Sequence, residues 1–136
     1  MKTFEDCFFG IFTEIIDLSL DYCNISVDTI FIHCSHENNC ISSNVFFIKE
    51  GRKILRNQIS SRTSADQKQL IHSINEKLKD FELLCINNKQ PVPTEIKLIY
   101  EISSKNLKSD FSYEYKYSDS PDTVVQDVFD EWFKSF

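Results

Sequence analysis

The chain has 136 residues, 41% hydrophobic and 26% charged, which is enough for one compact core and too few for two. Twelve Phe, five Tyr and one Trp supply apolar surface that disordered chains lack, while two Gly and three Pro exclude collagen-like and linker classes and any glycine-rich phosphate or dinucleotide loop. The formal net charge of -6 disfavours general binding to nucleic acid or anionic membranes and allows a basic partner.

The first residues place Lys2 before Glu5 and Asp6, and Thr13, Glu14 and Asp17 break the apolar positions that follow, so no secretory signal is expected. No stretch approaches the roughly 20 apolar residues of a membrane span. Cys7, Cys23, Cys34, Cys40 and Cys85 are odd in number and lack paired spacing, which predicts free thiols and a cytoplasmic location.

From Thr3 to about Cys23, Phe4, Phe8, Ile11, Phe12, Ile15, Leu18 and Tyr22 recur at three- and four-residue steps, the period of an amphipathic helix. Thr3 is its expected N-cap and Asn24 its stop. Asp28 to Ser35 alternates, with Ile30, Ile32 and Cys34 opposed to Phe31, His33 and Ser35, and predicts a strand with both faces partly covered. His36 to Asn39 connects it to a second strand from about Ile41 to Ile48. Glu50-Gly51 turns the chain into a third, Lys53 to Gln58.

After a polar connector, Ser60 to Thr63, Ser64-x-x-Gln67 has the form of a capping box, and Leu70, Ile71, Ile74, Leu78, Phe81 and Cys85 share one helical face. Pro91 and Pro93 prevent continuation past Asn87 and Asn88. Thr94 to Ile102 and Leu107 to Tyr117 both alternate and predict a hairpin turning at Lys105-Asn106. Its expected register sets Tyr100 beside Phe111, Leu98 beside Tyr113, Lys97 beside Glu114 and Glu95 beside Lys116. Ser120 as N-cap and Pro121 at the first helical position open a last helix, whose stripe is Val124, Val125, Val128, Phe129, Trp132, Phe133 and Phe136. The expected architecture is a single α+β domain, residues 1 to 136, in the order α-β-β-β-α-β-β-α, with an antiparallel sheet and helices packed mainly on one face.

Chemistry is sparse. His33, Cys34, His36 and Cys40 fall within eight residues, but a strand sends Cys34 and His36 to the face opposite His33, and no second cluster of C-x-x-C spacing completes a zinc set. Cys34 or Cys40 with His36 and Glu37 is the only local nucleophile–base–acid grouping, and sequence neighbours rarely form a triad. His72, on the second long helix, has no evident partner. No catalytic residue, cofactor or metal is therefore assigned; a small metal-dependent or cysteine enzyme built on His33 to Cys40 stands as an alternative, as does a structural or regulatory interaction module.

The charge is unevenly spread. Residues 1 to 40 carry seven acids and one Lys, net -6; residues 41 to 100 carry ten basic and six acidic groups, net +4; residues 101 to 136 carry eight acids and four Lys, net -4. Lys49, Arg52, Lys53, Arg56 and Arg62 form the densest basic stretch. It lacks interleaved aromatics, which makes it a poor match to RNA-binding modules.

Pro93-Thr94-Glu95-Ile96-Lys97-Leu98-Ile99-Tyr100, then Asp110-Phe111-Ser112-Tyr113, Tyr117-Ser118 and Asp127-Val128-Phe129-Asp130-Glu131-Trp132-Phe133, resemble the YezG-type immunity protein family. The resemblance is specific from Pro93 to Phe133 and upstream covers only the order of elements. It implies a bacterial cytoplasmic antitoxin that binds the C-terminal toxin domain of a polymorphic antibacterial system, typically a nuclease, with no direct nucleic-acid contact and no catalytic residues. The matched positions Ile96, Leu98, Tyr100, Phe111, Tyr113, Phe129 and Trp132 are expected in the core. Asp119, Asp122, Asp127, Asp130 and Glu131, with acids of the first helix, are the expected partner-binding surface, and the Lys49 to Arg62 stretch is the competing one.

Overall fold

The computed structural model describes residues 3–24, 27–59 and 61–136; Lys2 and Ser60, named above, lie outside them. The elements are α1 (Phe4–Cys23), β1 (Thr29–Glu37), β2 (Cys40–Lys49), β3 (Arg52–Leu55), a 3-10 turn (Arg56–Gln58), α2 (Ser64–Asn87), β4 (Glu95–Glu101), β5 (Asn106–Ser112) and α3 (Val125–Lys134). Their order is the expected one, and the five strands form one antiparallel sheet in the order β3-β2-β1-β4-β5.

The alternation in β1 decides the layering, because a strand with apolar residues on both sides must be covered twice. Ile30, Ile32 and Cys34 join Val45, Phe47, Ile96 and Leu98 under α1 and α2, in a core that includes Phe12, Ile15, Ile74 and Phe81. On the reverse face Phe31 and Phe46, directly paired across β1 and β2, stack with ring centroids 4.3 Å apart. Phe129 and Trp132 of α3 close over them, each meeting the Phe46 ring edge-on. Two helices thus share one face and the third covers the other.

Short turns fix the first meander. Asn38 and Asn39, at φ 51° and 62°, join β1 to β2, and Glu50-Gly51, at φ 52° and 78°, join β2 to β3, both two-residue hairpins in the left-handed region. β1 therefore extends to Glu37 instead of yielding to a loop at His36. β3 is shorter than expected: it ends at Leu55, whose N–H donates to Gln58 Oε1 across the 3-10 turn, so Arg56 to Gln58 leave the sheet.

Three further expectations are corrected. α2 is capped one residue earlier than Ser64: Thr63 Oγ1 accepts from the Asp66 N–H and Asp66 Oδ2 accepts from the Thr63 N–H, a reciprocal pair that the Ser64/Gln67 reading misses. α3 begins at Val125, not at Pro121; Ser120 instead accepts the Thr123 N–H in a turn, and Asp127 Oδ2 accepts from the Val124 N–H at the helix start. The β4–β5 register pairs Tyr100 with Leu107, Leu98 with Ser109, Ile96 with Phe111, Lys97 with Asp110 and Glu95 with Ser112, four residues from the expected pairing. The turn is at Ile102–Lys105, where Lys105 takes φ 57° and its N–H bonds back to the Ile102 carbonyl. The shift is even, so each face keeps its residues. Exposed charge pairs are worth only a few tenths of a kcal/mol to about 1 kcal/mol, too little to set register against turn geometry and the docking of Phe111 on Phe8 and Phe12. β5 consequently ends at Ser112, and Tyr113, expected in the core, is 55% exposed.

Candidate functional site

The α3 face of β1 changes character along its length. Phe31 lies in the aromatic cluster; the next residues on that face, His33, Ser35 and Glu37, are polar and buried. Burying such groups is costly unless each is hydrogen-bonded, so their partners show what they hold.

Glu37, 2% exposed, holds the chain after β5. Its Oε2 accepts from the Lys116 N–H at 3.0 Å, and its Oε1 accepts from the Ser118 N–H at 3.0 Å and from the Tyr117 N–H at 3.5 Å. Successive amides around one carboxylate form a nest, and here the anion is supplied by the protein itself. Ser35 Oγ and Tyr117 Oη are hydrogen-bonded at 2.8 Å, and Thr94 Oγ1 donates to the carbonyls of Ser112 and Glu114. Burial pushes the Tyr117 phenol up; the Ser35 bond opposes this and the Glu37 charge adds to it. An irregular segment, residues 113 to 118, is thereby tied to the middle of the sheet.

His33 Nε2 lies 2.9 Å from Glu95 Oε2, and the imidazole packs against the rings of Phe129 and Trp132. Lys97 Nζ sits 3.8 Å from the other Glu95 oxygen and over the Trp132 ring. Burial pushes the Glu95 carboxyl up, but the His33 bond and charge, with Lys97 and Lys116, outweigh it and hold the group below its ordinary value. The expected pairing of Glu95 with Lys116 across the hairpin is replaced by this cluster.

The clamped segment displays Tyr113 and Tyr115, 55% and 49% exposed, with exposed Glu114 between them. Asp119 and Asp122 are exposed beyond it. Of the expected acids on α3, Asp127 and Glu131 are exposed one turn apart, but Asp127 is engaged as the cap described above. Asp130 is half-buried and accepts from Gln126 Nε2 at 2.9 Å. Asp119, Asp122 and Glu131 make no ion pair or side-chain hydrogen bond with the described residues.

The competing basic stretch is largely spent on structure. Lys53 Nζ donates to the Phe133 carbonyl at the C-terminal end of α3 and lies over the Phe133 ring. Arg62 does the same for α1, donating to the carbonyls of Tyr22 and Asp21 and stacking on Tyr22. Lys49 and Arg52 remain exposed at the hairpin tip.

The His33 to Cys40 residues separate. Cys34 points into the α1/α2 core, where burial pushes its thiol up to about 12, far from a nucleophilic thiolate at neutral pH. His36 lies 3.1 Å from Glu82 of α2, Cys40 is exposed at the start of β2, and His33 and Glu37 are on the face opposite His36. No three His, Cys, Asp or Glu side chains converge as a metal-ligand set among the described residues. His72 is exposed, 4.0 Å from Glu76 on its own helix. No helix among them is long and apolar enough to cross a membrane.

Glu37, Glu95 and Tyr117 were missed as organisers of this face. The available signal was parity: Glu37 continues the Phe31, His33, Ser35 row once the strand is extended by two residues. No protein-family model and no curated protein matches the chain.

Proposed function

We propose that the protein is an immunity protein that binds and neutralises a toxin domain, of the nuclease class, by covering its substrate groove. The observation that carries the reading is the Tyr113–Tyr115 segment, two exposed tyrosines on a stretch anchored by Thr94 at Glu114 and by the buried Glu37 carboxylate just beyond, at Lys116 and Ser118, with Glu114, Asp119 and Asp122 around them. Rigid, exposed tyrosines give large contact area at low entropic cost and are enriched at binding hot spots. The surrounding acids match the basic groove with which a nuclease holds phosphate, and complementary charge accelerates docking. The sequence resemblance between Pro93 and Phe133 points the same way, since this segment lies within it. The role is one of binding, without catalysis by this chain, and is placed in the bacterial cytoplasm.

The test is co-expression with the product of the gene immediately upstream, which this reading expects to carry a toxin domain, read as growth rescue and co-purification. Rescue by the wild type is expected. Replacing Tyr113 and Tyr115 together with Ala, or Asp119 and Asp122 together with Lys, is expected to weaken binding at least tenfold, the charge variant mainly through slower association and a flatter salt dependence. Asp127 and Asp130 are unsuitable for charge reversal because both serve the fold of α3. Full affinity in both double variants would remove this surface from the proposal, and failure of the wild type to rescue would remove the role.

A further inference from the structure

A second feature lies at the other edge of the sheet and does not depend on the toxin-binding reading. β3 leaves β2 after the pair Leu55–Phe46, so Asn44 stands where the outer edge of β2 loses its neighbour. The 3-10 turn, the first turns of α2 and the start of α3 meet around this notch and leave an open groove of about 210 Å³. This is smaller than the roughly 300–1,000 Å³ of small-molecule sites and is on the scale of one or two residues of a peptide.

Arg56 lines the groove without an ion pair to any described residue. Its Nη1 donates to Asn44 Oδ1, which also accepts the Val45 N–H. Its Nε is enclosed without a partner, Nη2 makes no hydrogen bond, and no carboxylate among the described residues comes within 4.0 Å of the guanidinium. The carboxamides of Asn57 and Gln67, also in the groove, make no hydrogen bond with the described residues. Asp130 stands on the α3 wall, and Leu55 and Phe129 supply apolar surface. The arrangement calls for a ligand with a carboxylate for Arg56, a nearby N–H donor for Asp130, and a short aliphatic stem. A bare phosphate meets only the first need, and its roughly double charge is repelled by Asp130 more than a single carboxylate is.

We infer that this groove binds an acidic peptide segment, taking a Glu or Asp side chain against Arg56 while the adjoining backbone N–H faces Asp130. With Nε enclosed and Nη1 already bonded to Asn44, Nη2 is the donor left for a carboxylate, and a charge-assisted bond at a partly buried guanidinium is stronger than a neutral one.

The test is a titration of isotope-labelled full-length protein with acetyl-Gly-Glu-Gly-amide, followed by the Arg56 Nε–Hε and Gln67 side-chain amide resonances. Saturable shifts of both are expected, with binding about tenfold weaker for the Gly-Gln-Gly peptide. Arg56→Gln should abolish the response. Gln67→Ala leaves the Arg56–Asn44 bond in place and should weaken binding several-fold, which keeps the test decisive if Arg56→Gln fails to fold. Equal affinity for the Glu and Gln peptides, inorganic phosphate binding as tightly as the Glu peptide, or unchanged binding in Gln67→Ala would each overturn the inference. None of these outcomes bears on toxin binding, since no toxin is present.

Discussion

The two faces of β1 use the same strand for different ends. Toward α1 and α2, Ile30, Ile32 and Cys34 are uniformly apolar and contribute by burial alone. Toward α3, Phe31, His33, Ser35 and Glu37 grade from an aromatic stack to a buried carboxylate. The apolar face is tolerant of which hydrophobe fills it, provided volume is kept. The graded face is not, because each polar group is matched to one partner: His33 to Glu95, Ser35 to Tyr117, Glu37 to three backbone amides. One face holds the fold together, and the far half of the other holds a surface segment in place.

The largest effect is expected where the graded face is still apolar. Phe46 is fully buried and touches Phe31, Phe129, Trp132 and Phe133, so Phe46→Ala should cost about 3–5 kcal/mol in urea unfolding, as much as Phe12→Ala on the other face. A cost below about 1 kcal/mol would mean that α3 is not a structural layer.

Next comes the polar end. Glu37→Ala strands the amides of Lys116 and Ser118 and should cost about 3 kcal/mol. The more telling readout is amide hydrogen exchange. Protection should be lost at Lys116 and Ser118, while Ile30 and Ile32 lose only the share set by the fall in global stability and stay protected. If protection fell equally in both places, the division of labour between the two faces would be wrong.

The smallest effect is the one set by pH. Glu95 has a folded-state pKa below its ordinary 4.5, so its contribution to stability is present above that value and lost as the pH falls through the depressed one. Glu95→Gln should cost about 1–2 kcal/mol at pH 7. The gap should close below pH 4.5, because only the wild type then gives up an ionised carboxylate. Unfolding curves at pH 7 and pH 3 check this, and a gap that is constant between them would contradict the pairing with His33.

Much of this was legible along the chain. The periods of α1 and α2, the split faces of β1 and β4, and the Glu50-Gly51 turn depend on residues close in sequence, and each was read correctly from local pattern. Apart from the α2 cap and the ends of β1 and β3, the departures from local pattern fall in one place. The β4–β5 register, the end of β5 and the start of α3 all concern the stretch from Ile102 to Val124, whose geometry is set by contacts from Thr94 and Glu37, the latter about eighty residues away. Its alternating tyrosines have the pattern of a strand and are instead held as an irregular loop. The acids of α3 were found by composition, but composition does not separate Asp127, spent on a cap, or Asp130, bonded to Gln126, from Glu131, which is unengaged.

The sequence by itself determined the elements, their order and a first strand with both faces partly covered, because hydrophobic period and turn residues act over a few positions; the pairing of β1 with β4 that puts that strand at the centre is tertiary. Tertiary structure alone decided which charged groups are free. A carboxylate or guanidinium is available to a partner only if no distant backbone has claimed it. For Glu37, Lys53 and Arg62 the claimant lies forty to eighty residues away, while no carboxylate among the described residues comes within 4.0 Å of the Arg56 guanidinium.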